Sequence, residues 1–277
     1  MFDVEPSGQA CGATIRGLDL RTLDPETTER VRAVWLKHLV VNFPDQRLTL
    51  DEFERVALGF GPFGVDPYIR GLEDHPHVAE IRHEADETAP IFAEGWHSDW
   101  TFLAAPPAAT LLYGRVIPPV GGDTLYADQH AAYDALSTET KARLDGLHAI
   151  HSARRGYSKA GAYGDKDVGR SMAIVSSDDA LATQLHPIVR RHPETGRPAL
   201  FVSPAYVIGI DGMNNDESQS LLAELFEHQG AAPFVYRHRW HTGTVTMWDN
   251  RAVVHSATGG YQGHQRLLHR ITVAERA

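Results

Sequence analysis

The stretch Phe234-Val235-Tyr236-Arg237-His238-Arg239-Trp240 alternates large apolar side chains with basic ones. Successive side chains of a β-strand point to opposite faces of the sheet, so this pattern predicts a strand with one buried face and one solvated face. A second β-rich run, residues 244–248, follows closely and ends at the turn signal Asp249-Asn250. Together the two runs predict two strands near the C-terminus.

Further short β-rich runs occur throughout the chain after residue 75, with turn signals between them. They occupy residues 78–81, 109–113, 124–127 and 200–202, and the sequences PPVGGD at 118–123 and PETG at 193–196 are typical of turns. Helical patterns interrupt the runs at residues 137–147 and 216–229. Many short strands with inserted helices predict a mainly β protein with peripheral helices, arranged as a double-stranded β-helix or jelly roll.

The N-terminal part is richer in helix signals. Asp24-Pro25-Glu26 supplies a cap, a first-turn proline and a first-turn acid, and Thr49-Leu50-Asp51-Glu52 forms a capping box. Between the two predicted helices, residues 39–43 read as a strand that Pro44 ends. Gly59 and Gly61 are expected to end the second helix.

Composition places limits on the function. The chain has 277 residues, of which 42% are hydrophobic, and no linker divides it, so residues 1–277 are predicted to form one domain. Its 26 Lys+Arg against 36 Asp+Glu give a formal charge of -10, which disfavours binding to nucleic acid or an anionic membrane. Local arginines could still hold a small anionic substrate.

Other features point to a cytoplasmic enzyme. Cys11 is the only cysteine, so neither an internal disulfide nor a thiolate metal cluster can form within the chain. The N-terminal residues do not resemble a secretory signal, and no apolar run approaches the roughly 20 residues that span a bilayer.

The clearest chemical signal is His97-Ser98-Asp99 together with the distant His255. In an extended segment, residues 97 and 99 point to the same side, and neighbouring strands could bring His255 to them. Two imidazoles and one carboxylate that leave coordination positions open fit non-haem iron(II) better than structural zinc, which favours four protein ligands. His-x-carboxylate patterns also arise by chance: His192-Pro193-Glu194 is predicted to be a hairpin turn instead.

Two other groups of residues draw less specific predictions. His238 and His241 lie on and just after a basic strand face, where they read as surface or supporting groups rather than ligands. Residues 83–95 and 156–179 are predicted to be mobile, and loops of that length within a compact domain are usually functional or disordered.

Several motifs, in the same order and spacing, resemble the taurine / 2,4-dichlorophenoxyacetate dioxygenase family of iron(II)- and 2-oxoglutarate-dependent oxygenases. The resemblance covers nearly the whole chain, from about Glu5 to Val273. The matching stretches are Trp96-His97-Ser98-Asp99, Gly121-Gly122-Asp123-Thr124, Leu185-His186-Pro187, His192-Pro193-x-x-Gly196, Trp248-Asp249-Asn250-Arg251 with His255, and Arg266-Leu267-Leu268-His269-Arg270.

The resemblance implies roles for individual residues. His97, Asp99 and His255 would be the Fe(II) ligands. Arg266 would pair with the distal carboxylate of 2-oxoglutarate, which a guanidinium can hold through two charge-assisted hydrogen bonds. The hydroxyl group of Thr124 would donate a hydrogen bond to the same carboxylate. Arg270 would hold an anionic primary substrate.

The predicted substrate pocket departs from that of the taurine enzyme. Ala93 stands where that enzyme has an asparagine, so a bulkier or more apolar substrate than taurine is expected. Tyr68 is the nearest counterpart of an upstream substrate contact, and Arg154, Tyr157 and Tyr163 are candidate wall residues.

The implied reaction uses O2 to hydroxylate a small sulfonate, sulfate ester, aryloxy acid or other carboxylate, often with C–S, C–O or C–N cleavage, and releases succinate and CO2. Asp99 favours hydroxylation over halogenation. A homo-oligomer is also suggested by the resemblance. Two alternatives stay open: a biosynthetic oxidase acting on a larger carboxylated metabolite, and a noncatalytic jelly-roll domain that binds a metal or an anion.

Overall fold

The computed structural model describes residues 2–276, which form a mainly β structure with peripheral α-helices. The strands in this part of the chain are β1 (Asp3–Pro6), β2 (Ala13–Arg16), β3 (Val40–Phe43), β4 (Ala79–His83), β5 (Ala109–Val116), β6 (Thr124–Asp128), β7 (His148–His151), β8 (Gln184–Pro187), β9 (Val189–Arg191), β10 (Pro198–Leu200), β11 (Val207–Ile210), β12 (Val235–His238), β13 (Val245–Asp249), β14 (Val253–Ala257) and β15 (Arg266–Val273). The helices are α1 (Pro25–His38), α2 (Leu50–Phe60), α3 (Gln129–Asp134), α4 (Thr138–Leu144), α5 (Arg154–Tyr157) and α6 (Asn215–Gln229).

The largest sheet has the strand order β1-β2-β3-β13-β5-β15-β4, and a three-stranded sheet has the order β12-β6-β14. A second three-stranded sheet (β11-β7-β8) and the two-stranded β9–β10 hairpin are the remaining sheets within residues 2–276. β13 lies between β3 and β5 and is antiparallel to both. Because β13 is the middle strand of this sheet, the turn that follows it and the next strand, β14, begin near the middle of the molecule.

The strand predicted at 234–240 is confirmed as β12. Tyr236, His238 and Trp240 are buried, whereas Arg237 and Arg239 are exposed, as the alternation requires. Of the run predicted at 200–202, only Leu200 belongs to a strand. Phe201 and Val202 are buried without a regular strand partner, which explains why their apolar character suggested a strand.

The two N-terminal helices begin where the sequence predicted. The Asp24 side chain accepts a hydrogen bond from the Thr27 amide at 2.6 Å, and the capping box of Thr49 and Glu52 is formed. Leu39, in the left-handed conformation with φ 63°, ends α1 and directly precedes β3. Gly61 ends α2, but Gly59 lies inside the helix, so its predicted role in ending α2 was wrong.

The seven-stranded sheet buries side chains on both faces. On one face, Met247 and Ile271 pack with Trp35 of α1 and Phe53 of α2. On the other face, Trp248 and Leu268 pack with side chains of the three-stranded sheet, including Tyr126. Alternate residues of β13 therefore pack into two different layers of the core.

In the described part of the chain, no helix combines the length and the apolar composition that crossing a bilayer demands.

Candidate active site

His97 and His255 are joined by an isolated antiparallel bridge between two remote segments. The His97 amide donates to the His255 carbonyl at 2.9 Å, and the His255 amide donates to the His97 carbonyl at 2.7 Å. The two imidazole rings lie 4.1 Å apart between their centres. The predicted convergence of the two histidines therefore rests on a direct backbone contact.

Asp99 completes a cluster whose ligand atoms all lie within 4.8 Å of one another. Its Oδ1 is 4.0 Å from the Nε2 of His97 and 3.9 Å from the Nε2 of His255. The three side chains are buried, each with 6% or less of its residue surface exposed. Two nitrogens and one carboxylate oxygen therefore face one small space.

The orientation and charge of the imidazoles suit metal binding. The Nδ1 of His97 lies 2.9 Å from the Gly95 carbonyl, which can only accept a hydrogen bond. In the neutral ring the proton is therefore on Nδ1, and Nε2 is unprotonated. Burial lowers the pKa of His97, and burial together with the neighbouring His97 lowers that of His255. Both rings are therefore neutral near pH 7, the state that a metal ligand requires.

A chain of hydrogen bonds fixes the carboxylate of Asp99. Its Oδ2 accepts from the Thr110 hydroxyl at 2.6 Å, and Thr110 in turn accepts from the Asn250 amide at 2.8 Å. Asn250 also accepts from the indole of Trp248 at 2.9 Å. Burial alone would raise the pKa of Asp99, but Arg270 and the two imidazoles outweigh it and hold the pKa below its usual value.

The donor set fits a divalent transition metal. It offers two neutral imidazoles and one ionised carboxylate from one side, with outer hydrogen bonds to His97 and Asp99 of the kind that orient metal ligands. The second cluster of potential ligands in residues 2–276, formed by Asp51, Glu54 and His75, is partly exposed and lacks such support.

Arg266 is a buried cation without a carboxylate partner in the described residues. Its Nη2 donates to the Gly122 carbonyl at 3.1 Å, and its buried Nε has no hydrogen-bond partner. A Cβ at Gly122 would lie 3.1 Å from that Nε, so glycine leaves room for the guanidinium. Burial lowers the pKa of Arg266, as expected for a buried cation without a paired anion.

Thr124, at the start of β6, lines the same cavity as Arg266. Its hydroxyl oxygen accepts a hydrogen bond from the indole nitrogen of Trp240 at 2.9 Å, which leaves the hydroxyl proton free to donate elsewhere. Trp240 in turn packs edge-on against the ring of His238 at 4.5 Å. The sequence did not indicate this contact between β6 and the residue after β12.

Arg270 lies on the same strand as Arg266 and also lines the cavity, but it has carboxylate partners. Its Nη1 pairs with Asp66, and its Nη2 lies 3.1 Å from Oδ1 of Asp99 without forming an aligned hydrogen bond. The sequence predicted an arginine waiting for a substrate anion; the structure places this arginine between two carboxylates of the protein.

A cavity of about 390 Å³ opens beside the triad. Ala93, Tyr157 and Tyr163 line it, as does Tyr206, which sequence reasoning missed although its ring packs edge-on against His97 at 6.4 Å. Tyr68 does not line it: its ring stacks behind Tyr157 with 4.8 Å between centres.

Arg154 and the remaining histidines lie away from the triad. Arg154 donates to the carbonyl of Leu181 instead of lining the cavity. His192 lies at the predicted β9–β10 hairpin and contacts Asp249 at 2.9 Å, inside a buried ion-pair network. His238 is buried, not on the surface, and His241 is exposed.

The two long segments at 83–95 and 156–179 contact each other. Arg170 is almost fully buried, pairs with Asp167 at 2.5 Å and donates to the Pro90 carbonyl at 3.0 Å. The Ala93 amide donates to the Tyr163 hydroxyl at 3.2 Å. The segments therefore form a joint wall of the cavity.

Comparisons with known proteins agree with this geometry. A family model described as "Taurine catabolism dioxygenase TauD, TfdA family" matches residues 3–272. The (S)-phenoxypropionate/alpha-ketoglutarate-dioxygenase of Sphingobium herbicidovorans is 32% identical over 96% of this chain and 93% of its own length. The alpha-ketoglutarate-dependent 2,4-dichlorophenoxyacetate dioxygenase of Cupriavidus pinatubonensis is 36% identical, over 96% and 95%.

A solved structure, a taurine dioxygenase from Burkholderia xenovorans, superposes with a TM-score of 0.80 at 32% identity and covers 99% of this chain and 89% of that one. The resemblance inferred from the motifs is confirmed. The chain belongs to the TauD/TfdA family of dioxygenases.

Proposed function

We propose that this protein is an Fe(II)- and 2-oxoglutarate-dependent dioxygenase that hydroxylates a small anionic organic substrate and releases succinate and CO2. One observation carries the proposal: the triad of His97, Asp99 and His255 lines the same cavity as Arg266, a buried cation without a carboxylate partner in the described residues. A metal site and an anion site in one cavity suit a co-substrate with a chelating end and a charged end.

The triad would hold the metal. Bound Fe(II) would supply the activation of O2, a chemistry that no side chain can provide. The protein's own part is to keep both imidazoles neutral, to orient Asp99 through Thr110, and to bury the centre. Burial excludes water, which strengthens the electrostatic interactions within the site.

Arg266 and Thr124 would bind the distal carboxylate of 2-oxoglutarate. The Arg266 guanidinium has no carboxylate partner in the described residues, and its buried Nε has no hydrogen-bond acceptor. A bound carboxylate would supply both the negative charge and the acceptor. Thr124 accepts from Trp240, so its own proton is free for the same carboxylate. The ring centre of Tyr261 lies 5.7 Å from the guanidinium carbon of Arg266, so this ring packs beside the proposed carboxylate site.

The remaining space would receive the primary substrate. Aromatic and apolar residues, among them Phe92, Tyr157, Tyr163 and Tyr206, line it, which favours an acid with an apolar body over taurine. Arg270 is the cation nearest the triad and is proposed to bind the anionic group through Nη2, the atom not engaged by Asp66. Tyr68 would act only by supporting Tyr157.

The names of relatives support this class of substrate. By their names, the Sphingobium relative acts on (S)-phenoxypropionate and the Cupriavidus relative acts on 2,4-dichlorophenoxyacetate. A relative from Pseudomonas putida acts on sulfate esters. We further propose that the two packed sheets constitute a double-stranded β-helix, that residues 1–277 form one domain, and that the protein acts in the cytoplasm. A homo-oligomer stays a prediction.

A substrate panel tests the proposal. Purified protein with Fe(II), ascorbate, O2 and 2-oxoglutarate is offered aryloxy acids, alkyl sulfate esters, sulfonates and amino acids, and succinate is measured. We expect substrate-stimulated succinate from at least one apolar acid and none from the Asp99→Ala variant. Turnover only with larger carboxylated metabolites would favour the biosynthetic oxidase, and absence of succinate with bound metal would favour a noncatalytic binding domain.

A further inference from the structure

Asp66 connects three residues around the triad although it does not line the cavity. Its Oδ1 accepts from the indole nitrogen of Trp100 at 2.6 Å and pairs with Nη1 of Arg270, and its Oδ2 accepts from the Thr272 hydroxyl at 3.2 Å. Its side chain is only 15% exposed. Asp66 is therefore fully engaged and is not itself free to bind substrate.

Close packing against β15 brings Asp66 to this position. The Gly64 amide donates to the Thr272 carbonyl at 2.8 Å, and a Cβ at Gly64 would lie 2.7 Å from the Thr272 hydroxyl oxygen. Glycine thus lets the segment approach the strand that carries Arg270. The contact is part of the fold and does not depend on any bound group.

Arg270 is consequently shared between Asp66 and Asp99. Its Nη2 lies 3.1 Å from Oδ1 of Asp99, the oxygen that also faces His97 and His255. A cation at this oxygen competes with a metal ion for the same lone pairs, because both gain from the same negative charge. An arginine without another partner would form a full, aligned pair with Asp99.

We propose that Asp66 is a positioning residue for the metal centre: it holds Arg270 by Nη1, so that Nη2 approaches Oδ1 of Asp99 without forming the aligned hydrogen bond that would compete fully with a metal. Asp99 then stays available to the metal. The inference rests on the metal site of the proposed function, but it concerns a residue outside that site.

A second contact supports this assignment. Trp100, the residue directly after Asp99, has a φ of 47°, which is a strained conformation for a bulky side chain. The Trp100 indole is held by Asp66 on one side and by the Arg270 guanidinium, 5.0 Å from the ring centre, on the other. Asp66 therefore also steadies the backbone that carries Asp99.

Metal affinity, without turnover, tests the proposal. Mn(II) is titrated into metal-free protein, and free Mn(II) is followed by electron paramagnetic resonance. We expect Asp66→Asn to weaken Mn(II) binding roughly tenfold, the size of effect typical of residues that support metal ligands. In the double variant Asp66→Asn/Arg270→Gln, affinity should return close to the native value, because the competing cation is gone.

A purely structural role for Asp66 would not produce this recovery, so failure of the double variant to regain affinity overturns the proposal. Native affinity in Asp66→Asn overturns it as well. Arg270→Gln alone should bind Mn(II) at least as tightly as the native protein; a tenfold loss there contradicts the competition even if Asp66→Asn does not fold. Glu194→Gln, which removes a part-buried carboxylate that pairs with Arg32 away from the cavity, is the matched control and should bind normally.

Failure of the proposed function gives a different result. If native protein does not bind Mn(II) more tightly than His97→Ala, the metal site itself is absent. If native protein binds and Asp66→Asn binds equally well, only the role of Asp66 is wrong.

Discussion

The backbone amide and carbonyl groups of His97 and His255 exchange two hydrogen bonds across a gap of more than 150 residues in sequence. This pairing places the Nε2 atoms of the two imidazoles within 4.0 Å of Oδ1 of Asp99 through the backbone alone. The site is therefore expected to be formed before metal binds.

Removal of the triad carboxylate should abolish both binding and turnover. Asp99→Ala leaves two neutral imidazoles and nearby Arg270, whose positive charge then opposes a cation in the site. We expect loss of Mn(II) binding and of substrate-dependent succinate. The exposed Asp145→Ala is the control and should behave as native. Wild-type turnover by Asp99→Ala would exclude Asp99 as a required ligand.

Arg266→Ala should raise the KM for 2-oxoglutarate by at least about 100-fold. Loss of one partner of a buried ion pair costs roughly 3–5 kcal/mol. The effect should appear in the KM for 2-oxoglutarate and not in Mn(II) affinity, because Arg266 does not contact the triad. Arg143→Ala removes an exposed arginine and serves as the control. An unchanged KM would show that the distal carboxylate binds elsewhere.

Trp240→Phe should raise the KM for 2-oxoglutarate severalfold. The change keeps an aromatic ring but deletes the donor to Thr124, an interaction worth about 1 kcal/mol. If Trp240 acts through Thr124, it should have no further effect in a Thr124→Val background. Additive losses in the double variant would mean that the two residues act independently.

How much of this site the sequence could predict depends on the kind of signal. His97 and Asp99 are adjacent in one motif, and the motifs around His255 and Arg266 have recognisable spacing, so all four could be named. The role of Asp66 could not, because its contact with Arg270 spans 204 residues and follows from how residues 61–66 pack against β15. Tyr206 carries no motif at all.

For the fold as well, local sequence signals were predictive and long-range contacts were not. Capping residues located α1 and α2, the helical spacing of apolar residues located α6, and alternation located β12, because these signals are local. The sequence did not predict that segments 83–95 and 156–179 pack on each other. The contact of Arg170 with Pro90 joins residues 80 positions apart, and no local pattern indicates such a contact. Tyr68 was placed in the pocket, whereas stacking puts it behind Tyr157.

Stability should fall as the pH falls below about 6.5, in part because of His238. This ring lies in a buried group in which Asn42 donates to the Tyr236 hydroxyl at 2.9 Å and Thr246 donates to Asn42 at 2.9 Å. Burial lowers the pKa of His238 to about 3. The unfolded chain takes up the proton near pH 6.5 and the folded chain does not, so lower pH favours unfolding.

Between pH 7 and pH 5 this one histidine should cost about 2 kcal/mol of unfolding free energy. Urea denaturation of metal-free protein at both pH values measures the difference. In His238→Gln, the difference between pH 7 and pH 5 should be smaller by about that amount. An identical pH dependence in the variant would show that the pKa of His238 is the same in the folded and the unfolded chain.

The central claim, one metal centre shared by His97, Asp99 and His255 with a keto acid bound between it and Arg266, has a direct spectroscopic test. Fe(II) is added anaerobically to the protein with 2-oxoglutarate, and the visible absorption is recorded. The account predicts a weak charge-transfer band that requires both additions and disappears in His255→Ala. A colourless sample of folded native protein at saturating Fe(II) and 2-oxoglutarate would contradict it.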